Sequence, residues 1–558
     1  MKQLTLTALL ERSVATYSDY PALTYVDAEP VTFRELGRNV TRVSRALSKL
    51  GVKPGDHVAI LSQNMPTWPV AYFAVATMGA VVVPVLPDFS RTEVGNILEH
   101  AEAKVVFASK RLSSKLPADP SRTVIRLDDF DGLPEPDEEP TAWQAPPTQP
   151  EEDDLAAIIY TSGTTGNSKG VMLTHRNLVS NVEASRPIAE IEPGEALISI
   201  LPLAHTYECT IGMLVPLSAG AHINYLPVPP APSVLMPALS KVRPQVMLSV
   251  PLIIEKIYRA RVLPKLRSKM VLRAAMKLPP IRKLLHRAAG KKVMETFGGR
   301  LHFFGVGGAA LAPDVERFLR DAKFPYAVGY GLTETAPLIA GCGPKHTVYR
   351  STGPAVEGVS VRIADPDPKT GEGEIQATGP NVMRGYYRDE ARTAEMFTSD
   401  GWFRTGDLGI MDSRGNVFIK GRLKNMILGP SGENIYPEEL EAVINAQPMV
   451  ADSLVMRRGD ALVARVNLDF DAFREHIAAT EEIGESAGQG QAPASGDIDT
   501  ETLRVRAQGY LDELRSTVNS ELNAFSRISR FEVQMEPFEK TPTMKIKRYL
   551  YEAHLGTE

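Results

Sequence analysis

The run YTSGTTGNSKGVMLTH, Tyr160 to His175, constrains this chain more than any other stretch. It follows Leu155–Tyr160, which has the length and apolar character of a buried strand. Glycines at 163, 166 and 170 let the main chain approach a polyanion and turn its N–H groups inward. Thr161, Ser162, Thr164 and Thr165 add hydroxyl donors for phosphate oxygens, and Lys169 adds a positive charge. A serine- and glycine-rich surface turn is the plain alternative. Such a turn has no need of six consecutive hydroxyl or glycine positions, a nearby lysine and a buried strand leading in. The pattern is not the P-loop of kinases and GTPases, because Lys169 is followed by Gly170 instead of a hydroxyl residue. After the loop, MLTHRNL is expected to open a helix.

The flanking sequence sets the fold class as α/β. Thr32–Leu50 carries apolar residues at helical spacing and stops at Gly51. His57–Leu61, Val81–Leu86 and Lys104–Ala108 read as short buried strands. This alternation argues for parallel sheets covered by helices. Val70–Pro87, the most apolar stretch, is broken by Thr77, Gly79 and Pro84, so it reads as a buried helix and a core strand, with no membrane span expected. The length of 558 residues predicts three or four structural units, and 43% hydrophobic with 23% charged residues places the chain among globular proteins. A net charge of −5 gives no overall attraction to nucleic acid. Cys209 and Cys342 form neither a metal-site spacing nor a disulfide framework, and the N-terminus lacks the long apolar run of a signal peptide, so a reducing cytoplasm is expected.

Three segments stand apart. Leu127–Asp154 holds eleven acidic residues and six prolines and reads as a surface connection. Ile483–Thr500 is rich in Gly, Ala, Ser and Gln and reads as a flexible insertion. Lys256–Lys292 contains thirteen Lys or Arg, among them Arg273, Lys277 and Arg282, with no Asp or Glu, interleaved with apolar residues. It reads either as a solvated helical face or as an amphipathic surface for anionic lipid at the inner membrane face.

Four further motifs come after the loop: GYGLTET (Gly329–Thr335), GWFRTGDLG (Gly401–Gly409), GRLKNMILGPSGENIYPEELE (Gly421–Glu441) and EKTPTMKIKR (Glu539–Arg548). Together they resemble, in kind and order, the adenylate-forming superfamily of acyl-CoA synthetases, luciferases and peptide-synthetase adenylation domains. The resemblance implies a large N-terminal adenylation region, residues 1–422, with mostly parallel sheets and a distorted β-barrel. It also implies a small mobile α+β lid, residues 423–558, with the nucleotide between the two. LPLAHTYE (Leu201–Glu208) and SVPLIIEKIY (Ser249–Tyr258) look like segments of long-chain fatty acyl-CoA synthetases.

By this resemblance the substrates are a fatty acid, ATP and coenzyme A, with Mg²⁺ as cofactor. Thr161, Ser162, Gly163, Thr164, Thr165, Gly166 and Lys169 would cradle phosphate. Tyr330, between Gly329 and Gly331, would face adenine, as would Gly308 and Ala309 in GVGGAALAP. Glu334 would hold Mg²⁺ with help from Thr161 or Thr333, since a carboxylate beside a triphosphate needs a cation between them. Asp407 would hydrogen-bond the ribose and Arg422 would read the ribose or phosphate, Lys545 would be the catalytic lysine of the lid, and Lys424 would mark its hinge. Gly432, Glu433 and Asn434 would line the coenzyme A channel; His205, Tyr207, Gly305 and Gly307 would form the acyl pocket and its gate. Three positions depart from the common pattern, Met544, Ser168 and Gly421, and none of them removes a charged group. The competing readings are a fatty acyl-AMP ligase loading a carrier protein, a medium-chain or aryl acid–CoA ligase, and a luciferase-like oxygenase. From a different class comes a non-catalytic lipid-binding scaffold, which predicts decay of Lys545, Glu334, Asp407 or Arg422. All four are present.

Overall fold

A computed structural model describes residues 3–161, 168–267, 269–428, 434–459, 461–485, 499–541 and 545–552. The helix expected over Thr32–Leu50 spans Phe33–Lys49. Thr32 caps it by accepting from the Glu35 N–H while the Glu35 carboxylate accepts from the Thr32 N–H, so two end groups are satisfied reciprocally. Gly51, at φ +85°, ends it in a conformation that costs glycine little. Thr67–Thr77 has no polar side and is buried all round, and the strand Val81–Val85 comes next. The helix is therefore interior packing, and among the described residues no helix is long and apolar enough to cross a membrane.

The chain divides into two compact units: Met1–Thr405 with Gly409–Ile419, and Gly406–Leu408 with Lys420–Glu558. The first is built on two seven-stranded sheets. One is parallel through Tyr326–Val328, Phe303–Val306, Val246–Ser249, Ala196–Ser199, His222–Tyr225 and Pro21–Tyr25, with antiparallel Val31–Thr32 at its edge. The other runs Thr123–Arg126, Val105–Ala108, His57–Leu61, Val81–Val85 and Leu155–Thr161 in parallel, then adds antiparallel Lys169–Thr174 and Gly385–Tyr386. The acidic, proline-rich connection lies over the helix Phe33–Lys49, where Lys49 meets Asp137 at 2.7 Å and Trp143 packs on the main core.

One expectation gains a strand and another needs correction. The helix expected from MLTHRNL opens within that segment, at His175 and capped by Thr174, and Lys169–Thr174 before it returns as an unexpected strand antiparallel to Leu155–Thr161. The alternation of Val171 and Leu173 with smaller or half-buried neighbours suits a strand beside an already buried one. Among the described residues the strands do not close into a barrel. Ser360–Ala364, Gly373–Thr378, Phe403–Met411 and Val417–Arg422 form an open four-stranded sheet, too few strands to curl on themselves.

The second unit has a three-stranded sheet in which Ala461–Leu468 lies between antiparallel Val450–Arg458 and parallel Arg530–Gln534. Helices Pro437–Asn445 and Thr500–Glu521 supply Ile444, Leu511 and Val518 to its core. Most of the insertion read at 483–500 lies outside the described residues.

Candidate active site

The loop residues Ser162, Gly163, Thr164, Thr165 and Gly166 lie outside the described residues, but both ends of the loop are placed. Thr161 and Lys169 pair across the hairpin. The Thr161 hydroxyl is buried with no hydrogen-bond partner among the described residues, a polar atom left for something else to satisfy.

Lys169 reaches a carboxylate 165 positions away. Its ammonium sits 2.8 Å from Glu334 Oε1 and donates to the Tyr386 hydroxyl at 2.6 Å, above whose ring it lies, 4.4 Å from the centroid. The Tyr386 hydroxyl in turn donates to Glu334 Oε1 at 2.9 Å. Three elements meet here: the hairpin strand, the 3₁₀ turn Thr333–Thr335, and the edge strand Gly385–Tyr386, whose Tyr386 pairs with Val171. Burial pushes the Glu334 carboxyl up, yet the Lys169 charge and its hydrogen bonds outweigh that and hold it below the usual carboxylate range. Glu334 is thus an ionised carboxylate that can be shared with a second cation. An unpartnered hydroxyl, a carboxylate and an ammonium match what a magnesium–triphosphate ligand requires: oxygen donors for the cation and a positive charge for phosphate. The residues present fit that group.

The turn carrying Glu334 depends on Gly331. A β-carbon there would lie 1.8 Å from the Pro337 carbonyl oxygen, so no other residue fits the close pairing of Tyr330–Gly331 with Leu338–Ala340. Tyr330 is buried with Ile339, Ala340 and Val417, Gly329 donates to the Val306 carbonyl, and Thr333 opens the 3₁₀ turn.

The model of the AMP-binding enzyme family matches residues 10–387, which contain Lys169, Glu334 and Tyr386. The chain belongs to that family. Among curated relatives it is 30% identical to the long-chain-fatty-acid–CoA ligase FadD15 of Mycobacterium bovis, over 93% of this chain and 90% of the relative. It is 29% identical to the peroxisomal long chain acyl-CoA synthetase 7 of Arabidopsis thaliana, over 96% and 81%. Among solved structures, ATP-bound MatB from Rhodopseudomonas palustris superposes with a TM-score of 0.74 at 25% identity, covering 99% of both chains.

In this AMP-binding enzyme the structure also gathers the expected acyl-pocket residues. Tyr207 lies against the strand Phe303–Val306 and the glycine next to it: a β-carbon at Gly305 would stand 3.0 Å from Tyr207 Oη, and one at Gly307 3.0 Å from its Cζ. Glycine at both positions is what lets the ring lie on the main chain. His205 Nδ1 accepts from the Tyr207 N–H at 3.2 Å and holds the turn. Gly308, at φ +86°, and Ala309 are exposed just beyond.

Behind this wall lies a polar chain that the sequence reading passed over. Asn64 donates to Ser199 Oγ at 2.9 Å and to the Leu201 carbonyl at 2.6 Å, and accepts from the Leu203 N–H at 2.9 Å. Ser199 donates to Glu208 Oε1 at 2.5 Å. Burial pushes the Glu208 carboxyl up to about 8, against the Ser199 hydrogen bond, which lowers it. The signal was available: Glu208 is the one acid in ECTIGMLVPL, and a charged residue in an apolar run is buried only with a partner. Tyr386 was passed over too, because its role depends on a strand pairing no local pattern reveals.

In the second unit Arg422 Nε meets Asp407 Oδ1 at 2.7 Å, with Asp407 buried, so the two expected ribose readers stand together. Lys424 is exposed on the 3₁₀ turn Leu423–Asn425. Lys545 is exposed, and its main chain is tied to Thr541 by two hydrogen bonds, Lys545 N–H to Oγ1 at 3.2 Å and Thr541 N–H to the Lys545 carbonyl at 2.7 Å. Asn434 pairs with Leu428, while Gly432 and Glu433 lie outside the described residues.

Proposed function

We infer that this chain is a fatty acid–CoA ligase of the AMP-forming type, acting on long-chain acids. The carboxylate attacks the α-phosphorus of ATP and pyrophosphate leaves. The thiol of coenzyme A then attacks the acyl carbon, and AMP leaves. The observation that carries this reading is the cluster of Lys169, Glu334 and Tyr386 at the base of the glycine and hydroxyl loop.

Within that reading Glu334 and the Thr161 hydroxyl would hold Mg²⁺, which would supply positive charge against the phosphates of the nucleotide. Lys169 shifts from Glu334 to a phosphate oxygen, and the Tyr386 hydroxyl stays on the carboxylate as the ammonium leaves it. Ser162, Gly163, Thr164, Thr165 and Gly166 surround the phosphates, with Tyr330, Gly308 and Ala309 at adenine and Asp407 with Arg422 at the ribose. Lys545 supplies the ammonium that bridges carboxylate and α-phosphate, an assignment that rests on the motif EKTPTMKIKR. Lys424 is the hinge, Gly432, Glu433 and Asn434 serve the thiol's approach, and the adenylation domain ends at Arg422. A cytoplasmic setting is supported by the free thiols of Cys209 and Cys342, with peripheral lipid contact through the basic segment 256–292.

The test is pyrophosphate release with oleate, ATP and Mg²⁺, with and without coenzyme A, in the native enzyme and in Lys545→Ala. Oleate-dependent release, acyl-CoA formed on adding coenzyme A, and a loss on the order of 10²–10³-fold in the variant are expected. Turnover only with an acyl-carrier protein would establish a carrier-loading ligase instead, and no acid-dependent release at all would leave a lipid-binding scaffold.

A further inference from the structure

The helix Pro279–Thr296 packs one side into the core and leaves apolar side chains exposed on the other. Its inner face is fixed against the helix Pro313–Ala322: Arg282 Nε and His286 Nδ1 both contact Asp321 Oδ2, at 2.8 and 3.0 Å, and Gly290 lets the two backbones close at Ala322. On the opposite side Ile281, Leu284 and Ala288 recur at i, i+3 and i+7, one stripe of a helix with 3.6 residues per turn, and all are exposed, Leu284 by 66%. Just upstream, the helix Met270–Ala275 presents Met270 and Val271, exposed by 79% and 77%. Large apolar side chains left exposed along one helix face mark an interaction surface.

Cations border this stripe. At 100° per residue, Arg287 and Lys291 stand on one side of Leu284 and Ala288 and Lys292 on the other, all exposed, with Lys277 and Lys283 nearby. No Asp or Glu occurs from 256 to 292; the first acid on the helix is Glu295, nearly a turn beyond. An apolar centre with a cationic border complements a bilayer carrying anionic headgroups, where the alkyl side chains enter the acyl boundary and the Lys and Arg groups meet phosphate. A single-stranded nucleic acid would call for exposed aromatic rings to stack on, and the only aromatic residue in the segment, Tyr258, is buried.

We propose that the outer face of Met270–Lys292, centred on Ile281, Leu284 and Ala288, is the surface by which this enzyme sits on anionic membrane. Arg282, spent on Asp321, belongs to the fold and not to this surface. The proposal extends the ligase reading to the place where an apolar acid is collected, but its test needs no turnover and so fails or succeeds independently of it.

The experiment is co-sedimentation of the full chain at low salt with vesicles of phosphatidylcholine alone and of phosphatidylcholine mixed with phosphatidylglycerol. Binding to the mixed vesicles only is expected. Lys283→Gln/Arg287→Gln/Lys291→Gln should weaken it about 10²-fold, from roughly tenfold or less per basic group, and Ile281→Gln/Leu284→Gln should abolish the part that survives added salt. Circular dichroism and thermal unfolding check that both variants fold, since neither touches the Asp321 clasp. Equal binding to neutral vesicles, no binding to either, or full binding by both variants overturns the proposal, as does capture of the surface by an acidic protein while vesicles are ignored.

Discussion

Two glutamates in the first unit are buried to a similar degree and behave in opposite ways. Glu334 is 6% exposed and Glu208 2%, so each loses most of its hydration. Glu334 has an ammonium 2.8 Å away and is held ionised; Glu208 has only a hydroxyl at 2.5 Å and keeps its proton up to about 8. A nearby opposite charge, not the depth of burial, separates the two outcomes. The ionised carboxylate can trade its lysine for another cation, which suits a nucleotide site. The protonated one can only give and accept hydrogen bonds, which suits a strut behind the wall that carries Tyr207.

Substitution should expose this division most sharply in the chemistry. Glu334→Gln should lower acid-dependent pyrophosphate exchange on the order of 10²–10³-fold, while Glu208→Gln at neutral pH leaves exchange nearly unchanged; equal losses would break the comparison. Next comes stability. Lys169→Met strands the Glu334 charge, and denaturant unfolding should show a loss of about 3 kcal/mol, the lower end for a broken buried pair because Lys169 keeps some exposure. Adding Glu334→Gln to that variant should recover part of the loss. Smaller again, Glu208→Ala removes the partner of Ser199 and should cost about 1–3 kcal/mol by the same measurement. The least effect is a matter of pH. The folded protein holds the Glu208 proton more tightly than the unfolded chain, so its contribution is complete below the ordinary carboxyl value of 4.5 and is lost as pH rises to about 8. Melting temperatures at pH 6 and pH 9 should therefore fall less in Glu208→Gln than in the native protein; parallel declines would refute the neutral strut.

How far the sequence disclosed this site depends on the range of each signal. The glycine and hydroxyl loop stands out in the sequence because its glycines, hydroxyls and lysine lie close together, and the capped helix Phe33–Lys49 was readable because Thr32, Glu35 and Gly51 are local marks. The strands His57–Leu61 and Leu155–Thr161 were readable from their apolar runs. The hairpin after the loop was not, since GVMLT suits a strand or a helix start until its partner is known. Tyr386 and Tyr387 show the limit most clearly. They are adjacent in sequence, yet the pleat sends Tyr386 to Glu334 and Tyr387 to the rings of His57 and His100, and only the register of the edge strand on Lys169–Thr174 decides which is which. Asn64 and Ser199 lie 135 positions apart, Ser199 ending a strand of one seven-stranded sheet and Asn64 following a strand of the other, and only the fold brings them together.

Gly331 has a consequence for anyone wishing to redirect this enzyme toward other acids. The 1.8 Å that would separate an added methyl from the Pro337 oxygen leaves no clearance for even the smallest side chain, and both positions belong to the loop that bears Glu334. Any mutational library that includes position 331 will be populated by proteins whose Glu334 carboxylate has been levered away from Lys169 and Tyr386.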